Sequence, residues 1–150
     1  MKNIVLTILL CTILCSCPES GEVKTYDYSI VNNSGKSAVL FIYKDGNLDL
    51  SSKITLQPGQ EHRQIHESSP PNYGFSMWAL FNSQNTGIVT DVVVIYDNTK
   101  KTIYHRCQEG LCTDGSKNIF GHQYNDEQKE SFILTPEDYQ NAIDCVGNCY

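Results

Sequence analysis

The sequence is short of basic residues, and this shortage excludes one broad class of partner. Its 150 residues include 11 lysines and arginines against 17 aspartates and glutamates, a net charge of −6 at pH 7. A protein that binds nucleic acid displaces counterions from phosphates with a concentrated positive surface, and this chain has no surplus of positive charge to build one. We therefore expect no nucleic-acid partner.

Several motifs that carry common enzyme chemistry are also missing. The chain has no Gly-x-Ser-x-Gly elbow, no Ser-x-x-Lys pair, no glycine-rich phosphate loop and no calcium-binding loop. A carboxylate pair for glycoside hydrolysis is defined by separation in space, so the sequence leaves it open. These absences favour a protein that is not an enzyme and that uses no cofactor.

No apolar run is long enough to cross a bilayer. The longest, Ile4 to Leu14, would span about 16 Å as a helix, whereas the hydrocarbon core is about 30 Å thick. With Lys2 in front of it, the run has the layout of a secretory signal. We predict that residues 1–16 are a signal peptide, and the remainder has the size of a single domain.

The signal ends in Leu14-Cys15-Ser16-Cys17, which resembles the lipobox of bacterial lipoproteins. Cleavage before Cys17 places a small residue in the cleavage pocket, whereas Cys11 and Cys15 each follow a leucine. The resemblance implies a diacylglycerol on Cys17 and a third acyl chain such as palmitate, and several chains are needed for stable attachment. The alternative is an ordinary signal peptide that releases a soluble protein.

Residues 17–23 are predicted to be the lipidated cysteine and a polar tether. In Gram-negative lipoproteins an aspartate directly after the cysteine often favours retention in the inner membrane, and here that position is Pro18. Glu19 and Glu22 are similar to the acidic surface-export signal of Bacteroidetes lipoproteins. We expect a lipid-anchored protein of the cell envelope, in the outer membrane, facing the periplasm or the cell surface.

Four cysteines remain in the predicted domain, residues 24–150: Cys107, Cys112, Cys145 and Cys149. An even number in an exported protein predicts two disulfides, and the sequence leaves three connectivities open. Two local pairs would each contribute about 2 kcal/mol, and a long-range pair such as 107 with 145 about 4 kcal/mol. A zinc site with four thiolate ligands is the alternative, against which oxidation during export argues.

Alternation of apolar and polar residues predicts a mainly β domain. Leu48, Leu50, Ile54 and Leu56 would share one face of a half-buried strand. Further strands are predicted at 61–66, 73–81, 88–96, 101–107 and 129–134, and residues 24–44 are predicted to form a hairpin around Asn32 to Gly35. The spacing of the turns predicts a single antiparallel β-sandwich, meander or immunoglobulin-like.

The end of the domain carries a helix signal. Thr135 is suited to cap the helix, Pro136 suits its first turn, and Glu137 and Asp138 favour the positive end of its dipole. We predict a short C-terminal helix that runs to about Ile143 or Asp144. Residues 108–127, rich in Gly, Asn and Asp, are predicted to be the longest irregular stretch.

These features resemble a group of small uncharacterised β-rich lipoproteins of Bacteroidetes. The resemblance rests on the Asn-Asn-Ser-Gly turn, on the strand 91–96 followed by Asp97-Asn98, on Asn118-Ile119 and on the ending Thr-Pro-Glu-Asp-Tyr-Gln-Asn-Ala at 135–142. It covers most of the domain, and these elements are signals of structure. The resemblance therefore implies no particular activity.

The histidines are the first candidates for a chemical site. His62 and His66 are four residues apart, and on a strand their rings would be about 13 Å apart, too far to share one metal ion. His105 near Cys107, or His122 near Cys112, suggests a Cys-His nucleophile or a metal ligand set. A disulfide at Cys107 would abolish either arrangement, so we expect no metal site.

Aromatic residues are the other candidates. In a strand, Tyr73, Phe75 and Phe81 would share a face, and Trp78 would lie on the reverse. Core packing is the ordinary use of such a face, whereas a platform for a carbohydrate or protein would use Tyr73 and Trp78.

Together these observations predict a non-catalytic binding module for a glycan or a protein. One alternative is an envelope inhibitor of a hydrolase that inserts residues 108–127 into a catalytic cleft, and another is an exported enzyme with a concave polar pocket.

Overall fold

The computed structural model describes residues 21–71, 73–82, 86–108, 111–113, 115–125 and 127–150. The predicted signal peptide, Cys17 and the first part of the tether lie outside these ranges. Within them, no helix combines the length and the apolar character that a membrane crossing needs.

The domain consists of two β-sheets and one short α-helix, so the predicted mainly β sandwich is confirmed. A three-stranded sheet has the order β4-β1-β7, and a five-stranded sheet has the order β3-β2-β5-β6-β8. In the first sheet, β1 pairs antiparallel with β4 and parallel with β7. The strands are β1 (Lys24–Asn32), β2 (Ala38–Lys44), β3 (Asn47–Leu56), β4 (Glu61–Ser68), β5 (Val89–Tyr96), β6 (Lys100–His105), β7 (Lys129–Leu134) and β8 (Ile143–Asp144).

The main core lies between the sheets because alternation turns one set of side chains inward from each strand. Tyr28 and Ile30 of β1 and Leu40 and Ile42 of β2 are all buried in it. A second, smaller cluster lies on the outer face of the five-stranded sheet, and its buried members are Phe41, Val93, Ile95 and Cys149. The five-stranded sheet is therefore covered on both faces over part of its area.

The predicted hairpin at 24–44 is wrong, because β1 and β2 lie in different sheets. The fully buried Asn32 donates its side-chain amide to the carbonyl oxygens of Lys36 and Leu56, at 2.7 and 2.9 Å. These bonds hold the connection as a crossover between the sheets. The chain does change direction after Asn32, as predicted, but the connection leads from one sheet to the other and not to a neighbouring strand.

The predicted strand at 73–81 is also wrong. The structure has a 3₁₀ helix at Met77–Phe81, and Met77, Leu80 and Phe81 are buried. These positions follow a helical spacing of three and four, which the alternating aromatics at 73, 75 and 81 obscured. The helix packs against β1, β2, β3 and β4 and fills the space between the sheets at that edge.

The predicted C-terminal helix is confirmed as α1 (Pro136–Asn141), which ends at Asn141, before the expected Ile143 or Asp144. Thr135 and Asp138 form a reciprocal capping box at its start, with Pro136 in the first turn. The helix leads directly into β8, whose two residues pair with the start of β6.

The two predicted disulfides are present, and both are local. Cys107 is bonded to Cys112, and Cys145 is bonded to Cys149. The first belongs to the main core, where Cys112 is buried, and the second fastens a loop over the outer face of the five-stranded sheet. Because all four thiols are paired, they do not form the alternative zinc site.

Candidate functional site

The outer face of the five-stranded sheet brings three side chains into one row across β2, β5 and β6. Tyr43 pairs with Asp91, and Asp91 pairs with His105. Directly paired residues of antiparallel strands project from the same face, so the phenol, the carboxylate and the imidazole are neighbours. We call this set the Tyr-Asp-His row.

Asp91 is the centre of the row, and each of its two carboxylate oxygens has a hydrogen-bond partner, one on β5 and one on β6. Its Oδ1 lies 2.5 Å from Nδ1 of His105, and its Oδ2 accepts a hydrogen bond of 2.8 Å from Oγ1 of Thr90. The carboxylate fixes the imidazole so that Nε2 points away from Asp91. Nε2 then offers an acceptor when His105 is neutral and a donor when it is protonated.

The row borders a groove of about 310 Å³. Val93 and Ile103 supply an apolar floor. They pair with each other next to the Asp91–His105 pair on the same face, and Ile103 is 37% exposed. Lys101 and Cys149 line the other side. The groove therefore combines an apolar base with a few polar groups, which is the usual composition of a small-ligand site.

One wall of the groove is the C-terminal disulfide loop, residues 145–150. The amide of Cys145 donates to the carbonyl of Thr99 at 2.8 Å, and the ring of Tyr150 meets the ring of Phe41 edge-on at 5.4 Å. Nζ of Lys101 donates to the carbonyl of Cys149 at 3.3 Å. These contacts hold the loop against the sheet and give the groove a fixed border.

The open setting of the Tyr-Asp-His row suits binding better than catalysis. The side chain of His105 is 74% exposed and that of Asp91 is 23% exposed. Water around such a pair screens its charges, whereas a catalytic pair gains strength from a site that excludes water. Among the contacts given above, one hydroxyl group, that of Thr90, bonds to this pair. It donates to the carboxylate of Asp91 and not to the imidazole of His105.

The structure places Tyr73 and Trp78 away from this groove. Tyr73 is 41% exposed, and its hydroxyl donates to the carbonyl of Glu22 at 2.7 Å. Trp78 is half-buried against Phe120, and the guanidinium of Arg106 lies 5.4 Å above its ring. Their predicted role in ligand binding stays a prediction.

His62 and His66 have structural contacts in β4. Nε2 of His62 lies 2.9 Å from the carbonyl oxygen of Leu80, and the ring of His66 stacks on Phe75 at 4.9 Å. Among the residues that the structure describes, no three His, Cys, Asp or Glu side chains are grouped to hold a metal ion. The disulfide at Cys107 removes the predicted Cys-His pair with His105.

The irregular stretch at 108–127 folds into the body of the domain over its described part. Ile119 and Phe120 are fully buried, and the backbones of Cys112 and Gly121 form an isolated parallel β-bridge. A 3₁₀ helix follows at His122–Tyr124. Because its apolar residues are used in the core, these contacts give no support to insertion of this stretch into another protein.

Sequence reasoning missed Tyr43, Asp91, Lys101 and His105 as a group, although one signal could have found part of it. The turn Asp97-Asn98-Thr99 joins two predicted strands and sets Tyr96 opposite Lys100. Counting outward from that turn places Asp91 opposite His105. The contribution of Tyr43 depends on pairing between β2 and β5. The nearest paired residues in sequence are Lys44 and Val89, which are far apart in the chain, and no turn fixes their register.

Comparisons of this chain with protein-family models, with curated proteins and with solved structures found no match.

Proposed function

We propose that this chain is a lipid-anchored protein of the cell envelope whose β-sandwich binds a glycan without transforming it. Its signal sequence and the resemblance of residues 14–17 to a lipobox support the anchor, with Cys17 as the acylated residue. Pro18 in place of aspartate supports the outer membrane. Two local disulfides are in keeping with an exported protein.

The observation that carries the binding proposal is the Tyr-Asp-His row beside the apolar floor of Val93 and Ile103. A sugar ring presents apolar C–H faces and hydroxyl groups together. An aromatic ring and an aliphatic floor match the C–H faces, and a fixed carboxylate with a fixed imidazole matches the hydroxyls. A peptide partner would gain less from a row in which the carboxylate and the imidazole are already hydrogen-bonded to each other.

The binding test uses the mature protein in detergent on a glycan array, followed by titration of the best glycan. We expect Tyr43→Ala and His105→Ala to weaken binding about tenfold each, which corresponds to about 1.4 kcal/mol. Tyr73→Ala is the matched control, because it removes a half-exposed tyrosine that does not line the groove. Binding only to envelope proteins in a pull-down, or turnover of a glycoside, would replace this proposal with a protein-binding or enzymatic one.

The anchor is tested separately by mass spectrometry of the protein purified from membranes. We expect the mature chain to begin at an acylated Cys17, and Cys17→Ser to move the protein out of the membrane fraction. An unmodified amino terminus at another residue would contradict the lipoprotein assignment. The two tests are independent, because the groove does not include the anchor.

A further inference from the structure

We propose that the end of the sandwich at which β1 begins rests on the headgroup layer of the bilayer, with Val23, Tyr73 and Ile88 at the contact. This orientation rests on the proposed acylation of Cys17. We call this end of the domain the tether end, and the end with the turn at residues 57–60 the distal end.

The chain is fastened to the domain as soon as the described residues begin. A Cβ atom placed on Gly21 would come 2.0 Å from Cγ of Pro70, so the Gly21 backbone lies directly against that ring. The hydroxyl of Tyr73 donates to the carbonyl of Glu22, and Nζ of Lys24 lies 4.6 Å above the Tyr73 ring. The chain is thus already in contact with the domain at Gly21 and Glu22, before the first strand begins at Lys24.

This early attachment limits how far the domain can stand from the bilayer. Between Cys17 and Gly21 there are four Cα–Cα steps, which reach about 14 Å at full extension. The nine residues of β1 alone span about 30 Å. An anchor at Cys17 therefore holds the tether end within a distance much shorter than the domain itself.

The side chains at the tether end suit a headgroup layer. Val23, Tyr73 and Ile88 are 52, 41 and 62% exposed. Two aromatic rings have a cation over them: Lys24 lies above Tyr73, and Arg106 above Trp78. Aromatic rings and long basic side chains are enriched at the membrane interface, where the ring meets the acyl boundary and the cation meets phosphates.

Ile88 belongs to this end through the order of the strands, and Trp78 is linked to it through Arg106. β1 leaves the tether end and crosses to β2 at Asn32, so β2 returns towards it and ends at Lys44, which pairs with Val89. A guanidinium nitrogen of Arg106 donates to the carbonyl of Val89 at 3.4 Å while the group covers Trp78. The distal end instead presents the polar turn Gln57-Pro58-Gly59-Gln60, all exposed.

The sequence contains one tryptophan, Trp78, so intrinsic fluorescence reports on one position, the ring beneath the Arg106 guanidinium. The test uses the lipidated protein, purified from bacterial membranes and reconstituted into phosphatidylethanolamine–phosphatidylglycerol vesicles that contain a lipid with a spin-labelled headgroup. Because a strand length of about 30 Å separates the two ends, we expect quenching of Trp78 at least about twofold stronger than that of a tryptophan at the distal end. The distal probe is the double variant Trp78→Phe, Gln57→Trp.

A second comparison keeps the native tryptophan and does not depend on folding of that double variant. Ile88→Asp is expected to reduce quenching of Trp78 about twofold by placing a charge in the contact. Ile143→Asp, at a site of similar exposure (58%) that pairs with Lys101 away from the tether end, is expected to leave it unchanged.

Flotation of the vesicles separates the two proposals. If the protein floats with the vesicles, either of two results would overturn the orientation and leave the anchor intact. In one, Trp78 is quenched no more than the distal tryptophan, and in the other, Ile88→Asp leaves the quenching of Trp78 unchanged. Protein that does not float would overturn the anchor and the orientation with it.

Discussion

At the scale of single residues, Asn32 connects the two sheets through hydrogen bonds in a place where apolar packing would be expected. Besides its two donated bonds, its Oδ1 accepts from the amide and the hydroxyl of Ser34, at 3.2 and 2.6 Å. Its backbone adds bonds to the turn at 57–60. One buried side chain therefore joins the end of β1, the crossover and the end of β3.

We expect Asn32→Ala to lower the free energy of unfolding by about 2–4 kcal/mol, because it leaves the carbonyls of Lys36 and Leu56 without their donor in a buried site. Urea denaturation followed by circular dichroism measures the change. Asn47→Ala is the matched control. Asn47 is exposed and donates only to the carbonyl of Asp45 among the contacts found, so its loss should change stability by less than about 0.5 kcal/mol. Equal effects of the two substitutions would show that the buried network is unimportant.

The candidate site shows what single residues reveal and what they do not. Asp91 and His105 could each be placed in a predicted strand from local alternation. Their bond, and the position of Tyr43 beside them, depend on which residues face each other across three strands. A shift by one residue would turn a side chain to the other face, so a site on a sheet requires the register as well as the strands.

At the scale of elements, local signals gave the positions of most strands and the start of α1. Thr135 and Asp138 lie three residues apart in one turn, and the capping box follows from those residues alone. The errors at 24–44 and 73–81 have a common cause. Which sheet receives β2, and whether a segment fills a gap between sheets, is decided by distant residues such as Leu56 and β4, which a local pattern does not contain.

The two disulfides differ in the elements that they support, and this difference predicts unequal effects. Cys112 packs in the main core, and its amide donates to the carbonyl of Phe120 at 2.9 Å. Loss of the 145–149 bond in the variant Cys145→Ser, Cys149→Ser should remove about 2 kcal/mol, the loop-closure contribution of a bond across four residues. The variant Cys107→Ser, Cys112→Ser should lose more, because it also places a hydroxyl in the core.

Urea denaturation of both double variants measures this contrast, and glycan titration separates their effects on the groove. Because Cys149 lines the groove, the C-terminal variant should bind more weakly than the wild type while keeping most of its stability. If the C-terminal variant proved the less stable of the two, the assignment of the 107–112 bond to the main core would be wrong.

At the scale of the whole molecule, the same sheet serves two purposes. Its inner face supplies half of the main core, and its outer face carries both the small apolar cluster under the C-terminal loop and the groove. The disulfide loop covers part of the outer face and removes apolar surface from water. The uncovered part beside the loop is the groove, which both apolar and polar side chains line. A fold with an uncovered outer face would present a flat surface there in place of a groove.

The main core also gives the molecule a specific weakness at high pH. Burial raises the pKa of Tyr96 and of Tyr104 well above the usual value of a phenol, and the nearby carboxylate of Asp138 raises both further. In the unfolded chain both phenols ionise near pH 10. Above that pH the unfolded state binds fewer protons than the folded state, so stability falls as pH rises, by up to about 1.4 kcal/mol per pH unit for each tyrosine.

We therefore expect the free energy of unfolding, measured in urea at pH values from 8 to 11, to be level at first and to fall above about pH 10. Tyr104→Phe should reduce the steepness of the fall, because one of these two phenols with a raised pKa no longer contributes. Tyr150→Phe is the control, since its 51% exposed side chain stays in contact with water in the folded protein, and the slope should keep its wild-type value. A Tyr104→Phe protein whose stability fell as steeply as that of the wild type would mean that ionisation of this phenol is not what unfolds the core.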